Sequence, residues 1–231
     1  MLQNNLYVWE KRSSCAIEKI KNILLFLCFH CSSKNKEVKM ELTLDLTKRY
    51  TYADYLTWMD DVRRELIEGF IKFLPAPRPV HVKVGYKISW QLGAIIKMKN
   101  CQCEVYPAPF DVRLPKNGET DHDKIYTVVQ PDISVICDLS KIDEEGCCGA
   151  PDMIVEVLSP STTKRDMNDK FILYEKSGVK EYWVVHPKDK GIQVFLLQEN
   201  GMYDDGILYE RKGKVPVHIF GNYLIDLDEI F

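Results

Sequence analysis

The chain lacks a long apolar run. Its most membrane-like stretch is ILLFLCF, residues 23–29, far short of the ~20 apolar residues that a spanning helix needs. As a signal peptide this stretch would follow a long leader containing Glu10 and Glu18, with no small-residue cleavage site after it. The expectation is a cytoplasmic protein with no membrane contact. Internal repeats and low-complexity tracts are missing too, which excludes solenoids and fibrous arrays. Cys28 and Cys31 form one C-x-x-C, but no second pair stands at zinc-finger distance, so a zinc ribbon is disfavoured. The eight cysteines are scattered and are expected to be reduced thiols, several of them buried. No G-x-S-x-G elbow and no phosphate-cradling P-loop occurs, which disfavours a covalent serine intermediate and nucleotide-driven chemistry.

A basic excess is also missing. Formal net charge is −3 over 231 residues. Residues 1–39 carry seven Lys/Arg against three Asp/Glu, and the remainder carries 24 against 31. A mildly acidic body does not advertise a DNA-coating role, though an enzyme whose metal ions offset local acidity stays open. Residues 1–39 are expected to be an extension outside the main fold, either an amphipathic helix or the product of a start codon placed too early. Met40 then opens a self-sufficient domain, residues 40–231, long enough for a substantial core.

The pattern of elements is mixed. TYADYLTWMDD (51–61) reads as a short helix with Thr51 and Asp54 as a capping box. RRELIEGFIKFLPAP (63–77) reads as two short strands turning at Gly69. From Val80 to about Lys99 the apolar spacing is helical. Strand-like segments follow at 101–115 and 125–138, with polar loops at 116–124 and 141–151. A strand from Met153, a helix from about Asp166 to Ser177, and strands at 180–187 and 191–198 complete the main pattern. The expected class is α/β or α+β with a central mixed sheet.

Two residues break the pattern. Glu156 lies among Met153, Ile154, Val155, Val157 and Leu158, a run suited to a strand covered on both faces. Asp132 follows Pro131 and precedes Ile133, Val135 and Ile136. A buried carboxylate must be neutralised, hydrogen-bonded or bound to a cation. Two of them on adjacent strands, pointing the same way, would repel unless something positive lay between. Mg²⁺ suits that place, since it accepts one or two carboxylates and keeps waters and phosphate oxygens. The bland alternative is a sheet edge facing water, or an Arg partner. Lys170 adds weight: at 100° per residue it falls on the apolar side of its helix with Tyr174, Met167 and Phe171. Its partner is either Asp166, one turn earlier, or the strand carboxylates. The loop SPSTTKR (159–165) supplies hydroxyls and basic groups near a helix start, suited to a phosphate or to ordinary capping.

The segments VVQPDISVI and GAPDMIVEVLSPSTTKRDMNDKFILYEKSGVKEYWVVHP, with RRELIEGFI, PAPRPVH and APFDVRL, resemble the Uma-type restriction endonuclease family of the PD-(D/E)XK nuclease superfamily. The similarity runs from about Tyr50 to about Tyr203. It implies an α/β, restriction-endonuclease-like fold for residues 40–231: a mixed β-sheet flanked by helices. It places the superfamily's two acids on Asp132 and Glu156. The lysine usual two residues after the second acid is replaced by Leu158, and the resemblance implies that the helix-borne Lys170 substitutes for it. Glu68 matches a further family acid and His81 a family histidine near the cleft. His186 stands where the family usually has Asp. Read without the resemblance, Glu68 is equally a solvated acid beside a turn, and His81 a histidine at a helix start.

The resulting expectation is a Mg²⁺-dependent endodeoxyribonuclease, with Mn²⁺ as a substitute ion. Asp132, Glu156 and Glu68 would be metal ligands, and Lys170 and His81 would act in catalysis. DNA is the expected partner, and a homodimer is expected by analogy. Two alternatives stay open: a non-cleaving nucleic-acid or protein-binding module on the same scaffold, and a metal-dependent phosphoesterase with another substrate.

Overall fold

The computed structural model describes residues 44–159, 164–210, 212–221 and 223–231. The expectations for residues 1–39, the Cys28/Cys31 pair and the hydroxyls of Ser161, Thr162 and Thr163 lie outside these residues, as do the side chains of Lys164, Arg165 and Asp166.

The chain first forms helix α1 (Tyr52–Leu56), with the capping box in place: Thr51 Oγ1 accepts from the Asp54 N–H, and Asp54 accepts from the Thr51 N–H. Strands β1 (Arg64–Ile67) and β2 (Phe70–Phe73) form the hairpin. Its turn places Glu68 and Gly69 at φ 53° and 87°, the left-handed pair that a two-residue hairpin loop requires. Helix α2 (Pro79–Lys99) follows, opened by proline at its first position and closed by Asn100 in the left-handed region. Then come β3 (Glu104–Pro107), β4 (Val112–Arg113), β5 (Val128–Val129), β6 (Ile133–Ile136), β7 (Ile142–Asp143), β8 (Gly146–Cys148) and β9 (Met153–Val157). Helix α3 (Lys164–Ser177) leads into β10 (Glu181–His186), β11 (Gly191–Leu196), β12 (Ile207–Glu210), β13 (Lys214–Pro216), β14 (Leu224–Asp226) and helix α4 (Leu227–Ile230).

Two six-stranded mixed sheets result, where one central sheet was expected. One has the order β12-β11-β10-β9-β6-β3 and the other β2-β1-β5-β4-β8-β7. Each contains a single parallel pair, β9 with β10 and β4 with β8. The β7–β8 hairpin falls in the stretch 141–151, read from sequence as loop. Strands of two or three residues are too short to show a period-2 pattern, and they are held by main-chain bonds that carry no side-chain signature.

The first sheet is covered on both faces. Val84, Ile88, Leu92 and Ile95 of α2 pack on Ile133, Val155, Trp183 and Val194. Tyr174 of α3 packs on Ile154, Tyr182 and Val184 of the opposite face. Double coverage explains the near-continuous apolar strands β9 and β10. Among the described residues no helix is long and apolar enough to cross a membrane. The expectation of reduced thiols is corrected at one place: Cys103 and Cys137 form a disulfide. They continue the antiparallel register of β3 and β6, in which Glu104 faces Ile136, so the two side chains meet directly. Cys101, Cys147 and Cys148 are free.

A buried carboxylate unrelated to the expected site sits in β10. Glu181 has no exposed surface. It accepts hydrogen bonds from Trp183 Nε1 (2.8 Å) and from the backbone N–H groups of His218 (3.1 Å) and Ile219 (2.8 Å). It thereby anchors the turn at His218–Phe220 to the sheet. Replacing Glu181 with alanine strands these donors, each worth about 1–3 kcal/mol when left unsatisfied. Urea denaturation of Glu181→Ala is expected to show a loss of about 2–4 kcal/mol, and an unchanged midpoint would contradict this assignment.

Candidate active site

The pairing of β6 with β9 sets Ile133 opposite Val155. One residue further along the same register, Asp132 stands opposite Glu156. Side chains directly opposed on neighbouring strands lie on one face, with Cβ atoms about 5 Å apart. The two acids singled out from sequence are therefore brought together at one end of the sheet.

Each acid has its own partners. Asp132 Oδ2 accepts the Val157 N–H at 2.7 Å and lies 3.0 Å from His81 Nε2. His81 is in the first turn of α2, so this contact ties the start of that helix to the sheet end. The hydrogen bond to Asp132 raises the His81 pKa above its ordinary value, against the opposing effect of burial. Glu156 Oε1 accepts from Lys170 Nζ at 2.9 Å and from the Tyr174 hydroxyl at 2.7 Å. Lys170 and Tyr174 are one turn apart on α3, on its sheet-facing side as the periodicity implies.

Lys170 does not pair with Glu156 alone. Its ammonium also meets Glu65 Oε1 at 2.9 Å. Glu65 is 2% exposed, and the same oxygen accepts the Gln130 N–H at 2.9 Å. Gln130 is itself braced: Arg63 donates twice to its side-chain oxygen, and its amide donates to Asp111 Oδ1 at 2.8 Å. The residue just before Pro131-Asp132 therefore holds the acid on β1.

Here the site differs from expectation. The structure does not bring Glu68 to Asp132 and Glu156. Glu68 occupies the β1–β2 turn, its side chain 48% exposed and paired with Lys116 at 2.8 Å. The acid that β1 delivers is Glu65, three residues earlier. A signal for it existed: Glu65 lies inside the strand segment, as Glu156 does, whereas Glu68 adjoins the turn glycine.

Three acids, Glu65, Asp132 and Glu156, face one lysine and one histidine. Burial pushes the Glu156 pKa up to about 7, and the Asp132 and Glu65 charges push the same way against the pull of Lys170. The cluster thus carries more negative charge than its cations neutralise. Among the described residues no group of three His, Cys, Asp or Glu side chains is placed to hold a metal ion together. The acids present still suit Mg²⁺, which needs only one or two carboxylates. Among the described residues, the hydrogen bonds to these two acids fall on Asp132 Oδ2 and Glu156 Oε1.

The chain matches the Uma2 family, described as "Putative restriction endonuclease", over residues 52–219. It therefore belongs to that family. The fold resembles a solved protein of Anabaena variabilis ATCC 29413, titled a "putative nuclease belonging to DUF820", with a TM-score of 0.61. Identity is 21%, and the alignment covers 79% of this chain and 97% of the other. No curated protein matches the chain.

The electrostatics predict a pH-dependent cost of removing the lysine. In the native protein, Glu156 favours the proton relative to an ordinary carboxyl of pKa about 4.3. Its effect on stability is most favourable below that value and is lost as pH rises toward 7. Without Lys170 the Glu156 pKa rises further, so the penalty grows with pH. Lys170→Met is expected to destabilise the fold by about 3–5 kcal/mol at pH 8 and by much less at pH 5. Chemical denaturation at the two values checks this; an equal loss at both would contradict it.

Proposed function

We propose that the chain is a metal-dependent endodeoxyribonuclease whose active site is the sheet end carrying Asp132, Glu156 and Lys170. The observation that carries this reading is the convergence of two opposed strand carboxylates and a helix-borne ammonium in one partly buried cluster. Family membership and the nuclease-like fold support it.

Asp132 and Glu156 would hold Mg²⁺, or Mn²⁺ in its place. When bound, such an ion supplies Lewis acidity toward the scissile phosphate and lowers the pKa of a bound water. The protein's own residues have separate tasks. Val157 N–H and His81 fix the Asp132 carboxylate through Oδ2. Tyr174 and Lys170 do the same for Glu156 through Oε1. Lys170, 16% exposed, is positioned to stabilise charge building on a phosphate oxygen or to orient the attacking water. Glu65 holds the ammonium on its other side. His81 reaches the same end of the sheet and is available to a phosphate oxygen. No residue is required to form a covalent intermediate.

A second reading has one observation in its favour. The ammonium of Lys170 already lies between Glu65 and Glu156, so part of the cluster is neutralised from within. A non-cleaving binding module on a nuclease scaffold would show the same. Assays with supercoiled plasmid, single-stranded DNA, RNA and a chromogenic phosphodiester, in Mg²⁺, Mn²⁺ or EDTA, separate the readings and also reveal a phosphoesterase. Cleavage of at least one of these substrates is expected with Mg²⁺ and not with EDTA. Glu156→Gln and Asp132→Asn are expected to lower the rate at least about 10²-fold, the scale of losing one electrostatic stabiliser. Full activity in Glu156→Gln would sink the assignment. Mg²⁺ is also expected to draw the Glu156 titration midpoint well below 7, as followed by carboxyl carbon NMR.

A further inference from the structure

The exposed face of α2 stands apart from the rest of the surface. The helix contains four lysines, Lys83, Lys87, Lys97 and Lys99, and no acidic residue, in a body where acids outnumber bases. With about 100° per residue, Lys83, Tyr86, Lys87, Trp90 and Lys97 fall within an arc of about 100°, opposite the residues that α2 buries. Tyr86 is 68% exposed and Trp90 61%. Among the described residues no ion pair involves Lys83, Lys87 or Lys97. Among the described residues, two large exposed aromatic rings flanked by unpaired lysines are not accounted for by packing or by ion pairing.

The stripe also has a direction. His81, two residues before Lys83 but on the sheet-facing side of the helix, touches Asp132, so the acidic cluster lies at the N-terminal end of α2, round the helix from the stripe. From His81 to Lys97 the helix rises about 24 Å. On one side it is bounded by a groove of about 400 Å³ lined by Ser89, Gly93, Ile96, Glu104, Val105 and Pro107.

We propose that this face binds single-stranded nucleic acid, with bases stacked on Tyr86 and Trp90 and the phosphate backbone held by Lys83, Lys87 and Lys97. The inference rests on the nuclease reading in one respect: it names the form in which substrate approaches that site. Charge complementarity selects the occupant. A polyanion with aromatic faces satisfies both the lysines and the exposed rings. A second copy docked through this face would set lysines against lysines. A continuous duplex keeps its bases stacked inside and offers the two rings nothing to stack on. What sets α2 apart is the absence of any acid among its lysines, which leaves a locally basic strip on a chain of net negative charge.

Binding is tested apart from cleavage, using the full chain carrying Glu156→Gln in EDTA and fluorescence anisotropy of labelled oligo(dT). Trp90→Ala and Tyr86→Ala are each expected to weaken binding about 5- to 150-fold, the scale of losing one stacked base. Replacing Lys83, Lys87 or Lys97 with glutamine is expected to reduce the log–log salt slope by about 0.7 for each residue. A duplex of the same length, and heparin, which has no bases, are expected to respond to the lysine changes and not to Trp90→Ala. These residues are on the surface, so circular-dichroism melting curves are expected to stay unchanged. Oligo(dT) affinity indifferent to both aromatic changes overturns the inference, as does a sedimenting dimer that Trp90→Ala dissociates. Cleavage by the wild-type chain with oligo(dT) binding indifferent to Trp90 refutes the inference and leaves the nuclease reading intact. Binding through Trp90 by a chain that never cuts does the reverse.

Discussion

One ammonium group holds the centre of this protein. Lys170 projects from α3 between Glu156 on β9 and Glu65 on β1, 2.9 Å from each. Those strands belong to different sheets, so a single side chain joins a helix and both sheets at the point where the acids converge. Without it, two carboxylates with little access to water would face each other and Asp132. Such an arrangement is stable only as a set, because each charge offsets the desolvation of the others.

Burial of a carboxylate in a strand is not by itself a mark of chemistry. Glu181, one strand away, is more deeply buried than Glu156, yet its partners are two backbone N–H groups, an indole and the His218 ring. Its work is to hold a turn. Asp152 is similar: it accepts the Cys137 N–H at 2.8 Å and pairs with Lys180 at 2.6 Å. Glu156 differs in what surrounds it. Two further acids lie close enough to raise its proton affinity, and the sheet end where they meet adjoins the first turn of α2. The convergence of further charges on a buried carboxylate separates the candidate site from the structural acids.

The same contrast runs over the surface. The body outside residues 1–39 is acidic, while α2 offers lysines and aromatic rings without a single acid. The helix is amphipathic in the usual sense on its buried side, where Val84, Ile88, Leu92 and Ile95 meet the sheet. Its other side carries no core duty, and its composition is free to serve a partner. His81, on the sheet-facing side of the same helix, stands beside Asp132.

Much of this was legible in the chain, for reasons that are local. The 3.6-residue period marked α2 and turned Lys170 and Tyr174 of α3 toward the sheet. Gly69 marked the hairpin turn, and Thr51 with Asp54 the start of α1. Asp132 and Glu156 were conspicuous because charged residues interrupt apolar runs only with cause. Periodicity and propensity act over a few residues, so these features need no knowledge of the rest of the molecule. What joins distant segments was not legible. Glu65 lies 105 positions from Lys170, and only the placing of β1 beside α3 makes it a partner, whereas Glu68 is suggested by the family resemblance. The split into two sheets, the β7–β8 hairpin and the Cys103–Cys137 bond depend on strand pairing between segments far apart or too short to declare themselves. Sequence by itself determined which residues were out of place in a core; tertiary structure decided which charge neutralises which, because electrostatic partnership depends on distance in space and not on order along the chain.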